Sequence, residues 1–221
     1  MFARRDRFEP EPRRLIIAMF LGGAFLAVPV SAAAEIALDE LVPSGVLVIA
    51  IAPPVEEVAK IAVVLLVLSF QWKQLSQVVD GAIYGVSVGL GFAIVENLGY
   101  AAGLGVSVLI VRSLAAPITH ALFTGLAGYY LAKAYFSDRG ALSRWVTAGL
   151  GLLAAIGLHS LWNAPIGLSD LVSDLFLLLY LFVIPLYIYL LRRFLGRMES
   201  AEAQAVQRLV DVREPKVLAS R

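Results

Sequence analysis

Apolar residues run along this chain in blocks, with short polar breaks between them. Six stretches, about 15–34, 45–70, 78–100, 106–136, 145–166 and 172–195, are each long and mostly apolar. About twenty such residues in a helix cross a hydrocarbon core of about 30 Å. The pattern therefore predicts an all-α, polytopic transmembrane bundle of about six spans. The fourth stretch contains Arg112 and Pro117. A short interfacial helix near 104–114, followed by a kinked span, is expected there.

The charges supply an orientation. Arg4, Arg5, Arg7, Arg13 and Arg14 precede the first stretch, and Lys73 lies between the second and third. Lys133, Arg139 and Arg144 flank the fourth connection. Arg192, Arg193, Arg197, Arg208, Arg213, Lys216 and Arg221 follow the sixth stretch. All of these fall on one side of an alternating topology, which places both termini in the cytoplasm. The start also resembles a leader peptide, with Ala32-Ala33-Ala34 as its cleavage site. Its apolar run of about 20 residues exceeds the usual 7–15, so an uncleaved first span is expected. The expected organisation is a basic segment 1–14, a bundle 15–195 and a polar cytoplasmic tail 196–221. In that tail Ala201, Ala205 and Leu209 are spaced to line a short amphipathic helix.

Composition agrees. Of 221 residues, 60% are hydrophobic and 16% charged, against about 25% charged in soluble domains. There is no Cys, which excludes disulfides, thiolate nucleophiles, iron–sulfur clusters and zinc fingers. The two His residues exclude multi-histidine metal sites. No basic stripe with interleaved aromatics points to nucleic acid.

The remaining cations, Lys60 and Arg112, lie inside apolar runs, as do several carboxylates. An ionisable group in mid-membrane costs about 2.5–3.5 kcal/mol on insertion scales. Such groups face a bundle interior or a water-filled cavity and are candidates for function. Glu56 and Lys60 are i,i+4 and Glu57 and Lys60 are i,i+3, so the lysine can reach either carboxylate. Pro53 and Pro54 stand just before them. Glu96 lies in the third stretch with Asn97 and Tyr100. His120 lies in the fourth, and His159 shares a face with Asn163 in the fifth. The face Gly81, Gly85, Gly89 is a small-residue stripe for close helix packing, expected to hold the third span against the Glu-bearing second. Asp80 reads as an interfacial or capping residue.

Three Glu, two His and an Asn in one membrane cavity suit hydrolysis. A carboxylate takes a proton from water, and an imidazole or amide steadies the oxyanion. The same set has enough ligands for one zinc ion: Glu56, Glu96, His120 and His159. HExxH is absent. Gly85-Val-Ser87-Val-Gly89 matches GxSxG but lacks the strand–turn–helix setting of a nucleophile elbow, so Ser87 reads as helix packing.

These residues also resemble a family. Glu56-Glu57-Val-Ala-Lys60 is similar to the EExxK motif of the PrsW-type intramembrane peptidases. Asp80-Gly81-Ala-Ile-Tyr84-Gly85 with Gly91-Phe92-Ala-Ile-Val-Glu96-Asn97 resembles that family's second block. Arg112 and His120-Ala-Leu-Phe-Thr-Gly125 resemble its third, and His159-Ser-Leu-Trp-Asn163 its fourth. The blocks run in order from about 53 to 165. The wider CAAX-protease and bacteriocin-processing superfamily usually has EExxxR and FxxxH. This chain has EExxK and Phe92-xxx-Glu96, the pattern of the PrsW branch.

The resemblance implies an all-α bundle with a buried site that cleaves a membrane-anchored protein, an anti-sigma factor in the branch's best-known role. On this reading Glu56 is the general base, and Glu57 and Glu96 support water and proton transfer. His120 completes the water or metal shell, while His159 and Asn163 polarise the scissile carbonyl. Lys60 tunes the Glu pair, and Arg112 orients a carboxylate, meets a lipid headgroup or serves as a structural pair. No cofactor is required, with zinc as the alternative. The expected partners are the bilayer and a protein substrate, and oligomeric state is left open. A proton-coupled transporter or an inactive scaffold are readings from other classes. Intramembrane Glu, His and Lys also build proton relays, although no inverted repeat is visible.

Overall fold

The computed structural model describes residues 11–104, 106–167, 184–200, 203 and 207. The expected tail positions Ala201, Ala205 and Leu209 lie outside these, as does the first half of the sixth apolar stretch. Six helices carry the described residues. They are α1 (Arg13–Asp39), α2 (Ala52–Gln71), α3 (Val78–Leu104), α4 (Val106–Tyr135), α5 (Ala141–Gly167) and α6 (184–200). No strand occurs among the described residues. The chain is an all-α membrane helix bundle, as its apolar blocks predict.

Among the described residues, three helices are long and apolar enough to cross a bilayer by length and composition. They sit differently in the bundle. In α3, 78% of the most apolar stretch is buried, against 11% in α5. The bundle is therefore built around α3, while α5 turns most of its surface outward. Its exposed Leu150 and Leu153, like Ile17, Phe25 and Val30 on α1, suit contact with lipid.

Glycine puts α3 at the centre. A Cβ at Gly81 would collide with the Gly128 carbonyl, and one at Gly85 with the Thr124 carbonyl. A Cβ at Gly89 would lie 2.5 Å from the His120 carbonyl oxygen. The stripe therefore packs against α4, rather than against α2 as its sequence position suggested. A small-residue face shows that some backbone comes close, but the facing helix is settled by the complementary Gly128 on α4. On another side, Gly91 lies against Phe20 of α1 and Gly23 against Val88.

Among the described residues no separate interfacial helix precedes α4. Helix α4 runs from Val106 to Tyr135 with Pro117 inside it. Thirty residues at 1.5 Å each give about 45 Å, enough for the core and an interface in one element. Near the proline, the Thr119 hydroxyl donates to the Ala115 and Ala116 carbonyls, the kind of local repair that lets proline stay within a membrane helix.

One end of the bundle gathers the basic segments. Tyr84 in α3 hydrogen-bonds Glu11 and the Gln74 carbonyl. Trp72 after α2 donates to the Tyr135 hydroxyl at the end of α4, 3.1 Å away. Arg144 of α5 donates to the Ala134 carbonyl, and Arg197 of α6 to the Tyr130 hydroxyl. Asp80 caps the start of α3, accepting from the backbone N–H groups of Ser76 and Gln77.

A candidate active site buried between four helices

The site begins with a defect in the backbone. Leu47–Ile51 form a π-helical turn before α2, and the Ala52 N–H bonds the Leu47 carbonyl. In that register the Val48 carbonyl would look to residue 53, which is proline and has no N–H. The Asn163 amide of α5 fills the place, donating to the Val48 oxygen at 3.1 Å. The two prolines thus dock the start of α2 onto α5, one turn before the charged residues.

Glu56, Glu57 and Lys60 follow, all buried. The Lys60 ammonium lies 2.9 Å from Glu56 Oε2, 2.9 Å from Glu57 Oε1 and 2.9 Å from His120 Nδ1. Its three donors therefore have three acceptors. The charge also stands 3.8 Å from the centre of the Phe92 ring, a cation–π contact inside a dry core.

This network sets the histidine tautomers. An ammonium only donates, so His120 Nδ1 accepts and Nε2 carries the proton. His120 Nε2 then faces Glu96 Oε2 at 3.0 Å. His159 Nδ1 lies 3.0 Å from Glu57 Oε1. A carboxylate accepts, so Nδ1 donates there and the Nε2 lone pair is left over. That nitrogen lies 3.8 Å from Glu56 Oε2. The two imidazoles meet edge to face with centroids 4.9 Å apart, and Phe123 stacks on His159 at 5.0 Å.

Arg112 holds the other carboxylate. Its Nη2 donates to Glu96 Oε2 at 2.7 Å and its Nε to Asn97 Oδ1 at 2.9 Å, with the guanidinium 3.8 Å from the centre of the Tyr100 ring. The cation expected to orient a carboxylate, meet a headgroup or serve as a structural pair is paired with Glu96.

The groups differ in what they face. A cleft of about 730 Å3 opens between α1, the π turn, α2, α3 and α5. Glu56, Glu96 and Asn163 line it. Glu57 does not. It is wholly buried and held by Lys60, His159 and the Thr124 hydroxyl, which donates at 3.0 Å. The cleft lies toward the ends of α1, α3 and α5 that are opposite the basic face.

A zinc ion fits part of this set. Glu56, His120 and His159 each present a ligand atom within 4.8 Å of the others, the number of protein ligands usual in catalytic zinc sites, although His120 would have to release Lys60 or Glu96 to offer a lone pair. Behind His159, Glu57 supplies the carboxylate that commonly orients a ligating imidazole. Glu96, read from sequence as a fourth ligand, is not part of that group and pairs with Arg112 and His120.

Sequence reasoning did not single out Glu35, which lines the same cleft, or Thr124, which holds Glu57. Thr124 carries a detectable signal. It is i+4 to His120, so it shares that residue's helix face. Ser87 donates to its own helix at Ile83, in keeping with a packing role.

The PrsW family intramembrane metalloprotease model matches residues 11–190. Protease PrsW of Bacillus subtilis (strain 168) is 32% identical over 151 residues, covering 67% of this chain and 69% of that protein. Protease PrsW of Geobacillus kaustophilus is 33% identical, covering 62% of this chain and 61% of that protein. Protease PrsW of Clostridioides difficile is 32% identical, covering 60% and 59%. No solved structure matches. With the family matched over most of its length, and with the EExxK glutamates, Glu96 and both histidines gathered at one site, the chain belongs to the PrsW family of intramembrane proteases.

Proposed function

We propose that this chain is an endopeptidase that cuts a membrane-anchored protein in or near its membrane-spanning region. The observation that carries the reading is the convergence of Glu56, Glu96, His120 and His159 from four helices, with Glu56 and Glu96 lining one cleft and the two imidazoles beside them. The proposed orientation puts the basic face, and both termini, in the cytoplasm. The cleft then opens toward the outer half of the bilayer. An anti-sigma factor is the proposed kind of substrate.

The chemistry follows from what each atom can do. Glu56 takes a proton from water as the oxygen attacks the scissile carbonyl carbon, and it passes that proton to the departing amine. The His159 Nε2 lone pair orients the water beside Glu56. Asn163 uses one amide hydrogen on Val48 and offers the other to the oxyanion. This assigns to Asn163 the carbonyl-polarising part that sequence divided between it and His159. Glu57 positions His159, Lys60 positions Glu56 and His120, and Arg112 positions Glu96. Glu56, His120 and His159 would hold a zinc ion, and bound zinc would supply Lewis-acid activation of the water.

The test is cleavage of a membrane-anchored reporter by purified protein, with zinc analysis and a chelator arm. Stoichiometric zinc and chelator-sensitive cleavage, both lost in His120→Ala and His159→Ala, establish the metal-dependent form. Metal-free cleavage that disappears in Glu56→Gln establishes the glutamate form. Proton flux in liposomes without cleavage of any membrane-anchored protein overturns the proposal in favour of a transporter.

A further inference from the structure

The cleft has three carboxylates, and two of them are already matched. Glu56 is held by Lys60, and Glu96 by Arg112 and His120. The third is Glu35, near the end of α1. Among the described residues, none donates a hydrogen bond to Glu35 or forms an ion pair with it. It shares a helix face with Val28, Ser31 and Ala32, which form one wall of the cleft with it. The Ser31 hydroxyl is spent on the Ala27 and Val28 carbonyls. Glu35 is thus the one side chain on that wall with a charge to offer an incoming chain.

The balance behind it has the same sign. Among the described residues, Glu56, Glu57 and Glu96 pair with Lys60 and Arg112 as permanent cations. A half-buried carboxylate over such a site is poorly compensated, and an arriving cation would relieve it. Resting on the protease reading above, we propose that Glu35 is a specificity-determining residue. It pairs with a Lys or Arg of the substrate placed within a few residues of the scissile bond, on the side that lies along α1. The remaining walls are mostly apolar, with Leu47, Val48, Ala52, Phe92 and Val95. The preferred substrate is then an apolar segment carrying one basic residue beside the cut.

The experiment uses the full chain in nanodiscs and a set of membrane-anchored reporters. In each, one position flanking the cut carries Lys, Gln or Glu. At one position the Lys reporter is expected to be cleaved with a kcat/KM about tenfold above the Gln reporter, mostly through KM. Glu35→Gln removes that advantage. In a double-mutant cycle, combining Glu35→Gln with the Gln reporter costs no more than either change alone. Glu35→Lys transfers the preference to the Glu reporter at the same position, which a merely structural role would not produce. A Lys preference that persists in Glu35→Gln overturns the assignment, as does an equal loss on every reporter. Wild-type protein that cleaves none of the reporters, while Glu56→Gln is equally silent, counts against the protease reading itself.

Discussion

His159 Nδ1 stands 3.0 Å from Glu57 Oε1, and this one contact turns the opposite nitrogen of the ring toward Glu56. The two adjacent glutamates therefore do different work. Glu56 lines the cleft, while Glu57 lies behind it and aims an imidazole.

The first prediction separates them. Glu56→Gln is expected to lower reporter cleavage by about 10^2-fold or more, with a smaller fall in unfolding temperature than Glu57→Gln, because the Gln carbonyl can still accept from Lys60. Glu57→Gln places an amide N–H among donors, so unfolding temperature and cleavage should fall together. Equal stability loss in both variants would count against this division.

Lys60 offers a second. It is wholly buried with three acceptors. Replacing it with Met leaves two carboxylates facing each other without a cation, and removing one partner from a buried ion pair costs about 3–5 kcal/mol. Chemical unfolding in detergent should register a loss of that size. A Lys60→Met protein as stable as wild type would mean that water or another cation neutralises the pair.

The glycine stripe offers a third. Gly89→Ala puts a methyl 2.5 Å from the His120 carbonyl oxygen, forcing α3 from α4 and moving His120. Overpacking of this kind costs about 1–3 kcal/mol, and cleavage should drop with it. Gly149→Ala on α5 is the control, since nothing lies within 4 Å of a Cβ there. If both variants behave alike, the stripe is not what sets the position of His120.

Asn163→Ala leaves the Val48 carbonyl without a donor. The expected cost is about 1–3 kcal/mol, together with a lower kcat if the second amide hydrogen meets the oxyanion. Asn163→Asp should do worse, because a carboxylate repels the Val48 carbonyl. Unchanged kcat in a folded Asn163→Ala protein would remove the oxyanion role and leave the docking one.

Much of this was legible because the chemistry is local. The i,i+4 and i,i+3 spacings in α2 announce that Lys60 meets its own glutamates, and both contacts form. The partners of the histidines were not legible. Lys60 and His120 are 60 residues apart, and Glu57 and His159 are 102, so nothing in either local pattern says which imidazole meets which carboxylate. The facing helix of the glycine stripe was missed for the same reason. Glu35 was lost at an edge. Apolarity falls at about residue 34, but α1 continues to Asp39, because a helix near the interface tolerates polar residues that end an apolar run.

The 102-residue separation of Glu57 and His159 also bears on how the protein is made. Helix α2 leaves the ribosome well before α5 exists. At about 5–20 residues per second, its buried charges wait roughly 5–20 s for the last partner to be translated. Until then Glu57 has Lys60 beside it but not the imidazole that completes its shell. Nascent α2 must shelter at the insertion machinery or near the aqueous boundary during that interval. Assembly of the membrane domain and completion of its chemistry thus become a single late event, set by the arrival of α5.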